Sequence, residues 1–399
     1  MSNRFSRALI ASAATAALVF GATVVAPSWA VPSYPSAAEV AAAKKNVSAK
    51  KAMIARIEKI VQELAVEANK LGRVAQIKGE AFNQAQDAVD AITAKVNSLQ
   101  AQADAANAEA DKAKAQLGQI AAQMYRDGTG GTSLTLFLNA SVADDLLYKL
   151  GAQEKVAQQS DTIYNRSLAK QKYAQSLTDE LAGAKTELAT KAAAAKSLFV
   201  EAQTAANAVQ VKVDANNKLN KTFYAQLAVL QNTSAELERQ RAEGLAAEAR
   251  QNAGTSKPVA PELYAVGDAD PGKVQIALDF AKAQLGERYV LGGMGPDVWD
   301  CSGITKAGYA AAGIYIGTHS ATNQFNTMAS ARKLVPLSQA QVGDLMWYSQ
   351  ESSFNGDKYH VVFYLGGDMM LEAPNPARTV RIVPLRYGEL FPYAGRPSA

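Results

Sequence analysis

One cysteine, Cys301, stands among 399 residues, together with two histidines, His319 and His360. A solitary thiol cannot be half of an internal disulfide. It is either a small buried hydrophobe or a nucleophile. Upstream of it, Arg288-Tyr289-Val290-Leu291-Gly292-Gly293-Met294-Gly295-Pro296 is too rich in glycine and proline for a helix and reads as an irregular loop. Downstream, Ile304, Gly308, Ala311 and Ala312 fall at helical spacing, so Asp300 is a candidate N-cap and Cys301 lies in the first turn. The partial positive charge of a helix N-terminus favours thiolate over thiol.

A nucleophile of this kind needs a base and a group to orient the base. Strand patterns occur at 345–348, 360–365, 369–372 and 379–383, with Gly366-Gly367-Asp368 as a hairpin turn between the second and third. Folding about that turn brings His360 and Glu372 opposite one another to within about a residue, on a common face. His360 would take the thiol proton and Glu372 would hold the imidazole. Zinc is the competing use of Cys, His and Glu, but no closely spaced ligand pair accompanies the cysteine, and no metal or other cofactor is expected. His319, in Gly317-Thr318-His319-Ser320, precedes a predicted helix over 321–331 and suits a substrate-side or structural role better than that of the base.

Residues 271–399 have the composition of a compact α+β domain, opening on an amphipathic helix marked by Val274, Ala277, Leu278, Ala281 and Leu285. What precedes them is different in kind. No proline falls between Pro35 and Pro258, and the stretch is rich in Ala, Gln, Lys and Glu. Apolar residues step by three and four from Ile54, Ile57, Val61 and Leu64 through Val96, Leu99, Ala103 and Ala106 to Met124, with Lys78 as the exception. A seam held for about ten heptads predicts a left-handed coiled coil on the order of 100 Å long. Asp127-Gly128-Thr129-Gly130-Gly131-Thr132 should end the first helix, and a second one resumes near Ser141 with its own heptads from Ala174 to Val209. Their phase lapses at 212–216 and restarts at Leu227, Leu230 and Leu237. The two arms match well enough to pair as an antiparallel hairpin over 31–245, with its tip around 125–147. At that tip Leu134, Leu136, Phe137 and Leu138 either close a small core or offer an apolar surface to a partner. Residues 246–270, with Gly254, Ser256, Pro258, Pro261 and Gly267, read as a linker.

Arg4 and Arg7 precede an uncharged run from Ala8 to Ala26, and Ser28-Trp29-Ala30 offers a peptidase its small residues, so 1–30 reads as a cleavable export signal. An uncleaved anchor is the other use of such a run. Either places the rest of the chain across the cytoplasmic membrane, in the periplasm or the cell wall. A formal charge of +4, diluted along a mixed-sign segment and lacking any basic cluster with interleaved aromatics, argues against nucleic acid.

The C-terminal residues resemble the NlpC-type, papain-like peptidoglycan endopeptidases. That family's Tyr-x-x-Gly-Gly, Asp-Cys-Ser-Gly, Gly-Asp-Leu and His-Val-x-x-Tyr-x-Gly elements are met in order by Tyr289 to Gly293, Asp300 to Gly303, Gly343 to Leu345 and His360 to Gly366. The resemblance puts the nucleophile on Cys301, the base on His360 and the variable third polar residue on Glu372. Met370-Leu371-Glu372-Ala373-Pro374 is similar to the mycobacterial and corynebacterial Rip endopeptidases in particular. It also implies that Tyr289, Asp300, Ser302, His319 and Ser320 face the substrate, a wall stem peptide cut between D-γ-glutamate and meso-diaminopimelate. The helical half, with Met124-Tyr125-Arg126-Asp127-Gly128 before its tip, is similar to wall hydrolases and hydrolase activators controlled by the FtsE–FtsX complex. The expected fold is thus a long all-α antiparallel coiled-coil hairpin followed by an α+β papain-like (NlpC-type) catalytic domain. Its expected work is wall remodelling and daughter-cell separation, with an FtsX-like protein drawing the hairpin, or the linker, off the cleft. Two other readings remain open: a wall-binding C-terminal module, or a scaffold that activates another hydrolase.

Overall fold

A computed structural model describes residues 34–126, 143–252 and 256–399. The candidate signal segment, the first residues of the leader and the expected partner-binding residues Leu134, Leu136, Phe137 and Leu138 lie outside those residues. A short helix α1 (Ala37–Ala43), capped by Ser36 and Glu39 in a reciprocal box, leads into α2 (Val47–Arg126), 80 residues long. Its partner α3 (Ala143–Gln231) has 89 residues. The cross-helix ion pairs Lys212–Glu67, Lys78–Glu201 and Lys170–Glu109 climb one helix as they descend the other, so the pair is antiparallel.

The seam buries two apolar blocks. Ile57, Val61 and Leu64 pack with Phe223, Leu227 and Leu230 at one end. Ile92, Val96, Leu99 and alanines down to Ala110 pack with Ala174, Leu177 and Leu181 towards the other. At 212–216, where the heptad phase lapses, α3 stays helical: Lys212 reaches Glu67, and buried Asn216 donates Nδ2 to the Leu64 carbonyl. A helix needs an apolar stripe to pair but not an unbroken one, and a satisfied amide fills the gap. After a turn at Asn232 (φ 56°) the chain reverses into α4 (Ala235–Asn252). Leu237 is therefore 58% exposed instead of extending the seam, and helix continues past 245 into the predicted linker. Among the described residues no helix is long and apolar enough to cross a membrane.

The rest of the linker does not hang free. Tyr264 packs against the C-terminal core and accepts from the Leu334 N–H, Pro261 accepts from Tyr393 Oη, and the Gly267 carbonyl accepts from Arg396. It thus packs on the α+β domain.

That domain comprises α5 (Pro271–Ala283), a two-stranded parallel ribbon of β1 (Arg288–Tyr289) and β2 (Val298–Trp299), α6 (Cys301–Ala311), α7 (Ala321–Ser330), and strands β3 (Leu334–Pro336), β4 (Leu345–Tyr348), β5 (His360–Gly366), β6 (Met369–Glu372), β7 (Arg381–Pro384) and β8 (Leu390–Gly395). Six strands form one antiparallel sheet in the order β3-β8-β4-β5-β6-β7. Alternation sends Val361, Phe363 and Leu371 into the core under α5, α6 and α7, and Val362, Tyr364 and Met370 to the other face. Ile77 of α2 packs on that second face, so the hairpin and the domain are in contact.

Candidate active site

Two glycines make the seat of Cys301. A Cβ on Gly293 would lie 2.9 Å from the Trp299 nitrogen, and one on Gly303 would lie 2.0 Å from the Gly293 oxygen. Only glycine lets the loop after β1 and the first turn of α6 pass this closely. Asp300 caps α6 by accepting the Gly303 N–H at 2.8 Å, which leaves Cys301 as its first residue. The backbone N–H groups of Val361 and Ser302 approach its sulfur.

His360 opens β5 and Glu372 ends β6. Phe363 pairs with Leu371 and Tyr364 with Met370, so the register puts His360 and Glu372 diagonally on one face, where Nε2 meets Oε2 at 2.9 Å. Both side chains are fully buried. An ionised carboxylate only accepts, so Nε2 carries the ring proton and Nδ1 keeps its lone pair. That Nδ1 is buried and has no hydrogen-bond partner, so no hydrogen bond joins it to the thiol in this form.

The five residues expected to face substrate gather around the N-termini of α6 and α7. Asp300 takes His319 Nε2 at 2.8 Å, the Ser302 hydroxyl at 3.1 Å and the Gly292 N–H at 3.0 Å. Burial alone would raise the Asp300 carboxyl, but His319 together with the Gly303 and Asn83 donors outweighs it and the group falls below its ordinary range. Asp300 in turn holds the His319 imidazole above its ordinary value in spite of burial. His319 is thus the ion partner of the cap and stands apart from His360. Ser320 caps α7 through the Asn323 N–H, and Tyr289 is buried beside the loop.

Sequence reasoning expected the hairpin or the linker at this site but did not find which residues of the hairpin meet it. Between its two seam blocks α2 turns a second stripe towards the domain: Gly72, Gln76, Gly79, Glu80, Asn83 and Asp87, at three- and four-residue spacing. Gln76 donates to the Pro374 carbonyl, Asn83 donates to Asp300 Oδ2 and Ser302 Oγ at 3.4 Å each, and Asp87 accepts from the Thr318 hydroxyl. Glu80 is 4% exposed and takes three donors at the N-terminus of α7: the Ser320 hydroxyl at 2.6 Å and the N–H groups of Ala321 and Thr322 at 2.9 and 3.0 Å. The open end of a helix suits a carboxylate there. Gly72 and Gly79 set the approach, because Cβ atoms at these positions would meet Asn375 Nδ2 at 2.7 Å and Leu291 Cδ1 at 2.9 Å. Glycines inside an otherwise strong helix are a weak signal, since Gly118 of the same helix meets nothing within 4 Å.

This occupancy changes the thiol. Its pKa was expected to fall at a helix N-terminus. Instead burial, then the Asp300 and Glu80 carboxylates, push the Cys301 thiol well above its ordinary value. A helix terminus contributes only a partial charge, and here two carboxylates and the loss of water outweigh it. Burial likewise drives the Glu80 carboxyl up to about 7 against the pull of its three donors. In this closed form Cys301 is a neutral thiol.

Residues 286–390 match the NlpC/P60 family. Among curated relatives, the Mycobacterium tuberculosis "Peptidoglycan endopeptidase RipA" is 36% identical over 26% of this chain and 20% of its own length. "Peptidoglycan endopeptidase RipB" of the same organism is 32% identical over 31% of this chain and 52% of its own. The "Gamma-D-glutamyl-L-lysine dipeptidyl-peptidase" of Bacillus cereus is 32% identical over 30% of this chain and 34% of its own. The chain thus spans about a fifth to a half of the length of these relatives. The C-terminal region of this chain is an NlpC/P60 domain homologous to those of RipA and RipB.

Proposed function

We propose that the protein is a secreted peptidoglycan endopeptidase, using Cys301 as nucleophile, His360 as base and Glu372 to orient the base, and that α2 holds it inactive until a partner draws the hairpin away. The observation that carries the first part is the buried His360–Glu372 pair, with its unengaged Nδ1, on the strand whose next N–H approaches the Cys301 sulfur. Attack by sulfur on the scissile carbonyl gives a thioester and releases the amine, which receives the proton His360 took from the thiol. Water then hydrolyses the thioester. The D-γ-glutamyl to diaminopimelate bond is the expected point of cleavage, in keeping with relatives named for γ-D-glutamyl bonds.

The second part rests on Glu80, Asn83 and Asp87 filling the side of the cleft where Ser302, His319 and Ser320 would meet substrate. The tip is about 45 residues from Glu80, or about 70 Å of helix, so an FtsX-like membrane protein gripping Leu134, Leu136, Phe137 and Leu138 would work through a long lever. Shifting a closed-to-open balance from 99:1 to 1:99 takes ~5.5 kcal/mol, which a few buried Leu and Phe side chains at about 1.5–3 kcal/mol each supply. Daughter-cell separation is the setting in which such control would serve.

Residues 256–399, which retain the Tyr264 and Pro261 contacts, incubated with purified stem peptide should yield fragments of the mass expected for endopeptidase cleavage. Intact peptide after prolonged incubation would instead support the wall-binding or scaffold reading. Phe137→Asp with Leu138→Asp should leave that fragment's activity untouched, being outside it, and abolish activation of the full chain by its partner.

Glu80 also predicts a pH dependence. Its carboxyl sits at about 7 when closed and roughly 4.3 when free in water, so between those values the closed form holds a proton that the open form has lost. Closure is then strongest below the lower value and weakens as pH rises from it through the upper one, by about 4 kcal/mol in all. The ratio of full-chain to fragment hydrolysis should climb between pH 5 and 8. In Glu80→Gln the same ratio should be flat, and a wild-type ratio that falls with pH would contradict the assignment.

A further inference from the structure

Glu372 does not lean on His360 alone. Strand β7 places Arg381 in register opposite it, and the chain just beyond β7 returns Arg386 to the same carboxylate. Arg381 donates Nε and Nη2 to Oε1 at 3.0 and 2.7 Å. Arg386 donates Nη1 to Oε1 at 3.0 Å, and its Nη2 lies 3.0 Å from Oε2, the oxygen that meets the imidazole. Tyr348 backs the clamp: the Arg386 guanidinium lies 4.7 Å from its ring centroid, and its hydroxyl accepts the Arg386 N–H. Two guanidinium charges against one carboxylate leave a net positive charge beside the ring. A protonated His360 would be a third cation beside a fully buried carboxylate, where such charges interact strongly.

We propose that Arg381 and Arg386 are positioning residues that fix the Glu372 carboxylate and cancel its charge as His360 feels it, so that His360 rests as a neutral base rather than as the imidazolium of an ion pair. The thiol proton then passes from Sγ to the unengaged Nδ1 as the S–C bond forms, and from there to the leaving nitrogen as the C–N bond breaks. This differs from the usual arrangement, in which an uncancelled carboxylate stabilises the imidazolium.

The groups facing the imidazole are few. They are Glu372 on β6, Arg381 on β7, Arg386 beyond it, the Tyr348 ring on β4 at 5.7 Å, and Cys301 on α6 beside β5. Glu389 is taken up by Tyr359 and by Arg73 of α2, and Glu80 of α2 acts on the thiol. Burial lowers the His360 pKa most, Glu372 opposes it, and Arg386 and Arg381 lower it further. For Glu372, burial would raise the carboxyl, yet the same two arginines hold it well below the carboxylate range.

The proposal rests on the reading of Cys301, His360 and Glu372 as the catalytic set, but its test needs neither substrate nor opening, so the two can fail separately. With only two histidines in the chain, the full protein can be labelled at its imidazoles and titrated by NMR, His319→Gln assigning the signals. The His360 midpoint should lie below the free-imidazole value, roughly 6.5. Arg386→Met and Arg381→Met should each raise it by about one pH unit, the shift expected for a charge removed within a few ångströms of the ring. Arg386→Lys, which keeps the charge and loses the fork, should leave it low. The His319 signal, tied to Asp300, reports whether a variant is folded; if it moves in Arg386→Met, Arg381→Met decides. A parent midpoint at or above the free value overturns the proposal. So do methionine variants that leave the midpoint in place with His319 unchanged, and a lysine variant that moves it as far as methionine does.

Discussion

Cys301→Ala in residues 256–399 should abolish stem-peptide hydrolysis, by a factor on the order of 10³ or more, because no other group can form the thioester. The sulfur is the only thing lost. Asp300 still caps α6 through Gly303, and the neighbouring core of Trp299, Ile304 and Tyr309 is untouched, so a folded protein is expected. His360→Ala should be nearly as damaging, since the buried Nδ1 is the acceptor for the thiol proton. His319→Ala should be milder, as its ring serves Asp300 and the cap. Initial rates on a purified stem peptide, with circular dichroism to confirm folding, check the set. Retention of more than about a tenth of the activity by Cys301→Ala would remove it as nucleophile, and a larger loss at His319 than at His360 would move the base.

The placement of Cys301, His360 and Glu372 was legible because each is fixed by local rules. A glycine turn between two strands sets which residues share a face, and that suffices to pair His360 with Glu372. A helix pattern after a glycine loop suffices to put Cys301 on a first turn. The arginine clamp was not legible. Arg381 and Arg386 reach Glu372 only through the register of β6 with β7; Asn375 turns the chain within the connection across 373–380, but that connection is too long for its turn to set the register. The thiol's protonation was misread for a related reason: helix position is a local property, whereas burial by α2 is a contact across 200 residues of chain.

The stripe on α2 shows the same limit from the other side. On a long helix, polar residues opposite the apolar seam are ordinarily a solvated face, and Gln76, Glu80 and Asn83 are typical of one. Their burial follows from a docked domain; the glycines at 72 and 79 lie where the helix is approached closely, but Gly118 of the same helix meets nothing within 4 Å, so glycine alone would not have marked the place. The linker misled in the opposite sense. Its prolines and glycines suggest a free tether, yet Pro261, Tyr264 and Gly267 contribute their carbonyls or ring to the α+β domain, which leaves α2 as the element that covers the cleft.

Glu80→Lys should turn the full-length chain on without any partner. In the closed form the Ser320 hydroxyl and the Ala321 and Thr322 N–H groups all point their hydrogens at the Glu80 carboxylate. A lysine there would set a cation against three donors at a helix N-terminus, losing hydrogen bonds of about 1 kcal/mol each and adding a buried, unpaired charge. The hairpin itself should not suffer, because Glu80 faces the domain and the seam beside it is built by other residues: Phe82 packs edge-on with Phe199 of α3 at 5.2 Å. Undocking also returns water to the cleft and takes the Glu80 charge away from Cys301, which lowers the thiol pKa, so one substitution both opens the site and activates it. Wild-type full chain should hydrolyse stem peptide at least about tenfold more slowly than residues 256–399 at equal concentration, and Glu80→Lys should come within about threefold of that fragment, given a closure worth several of these hydrogen bonds. Equal rates for wild type and fragment would make the hairpin a spacer. A Glu80→Lys chain that stays folded, undocked by small-angle scattering and still slow would mean that something other than this stripe restrains the enzyme.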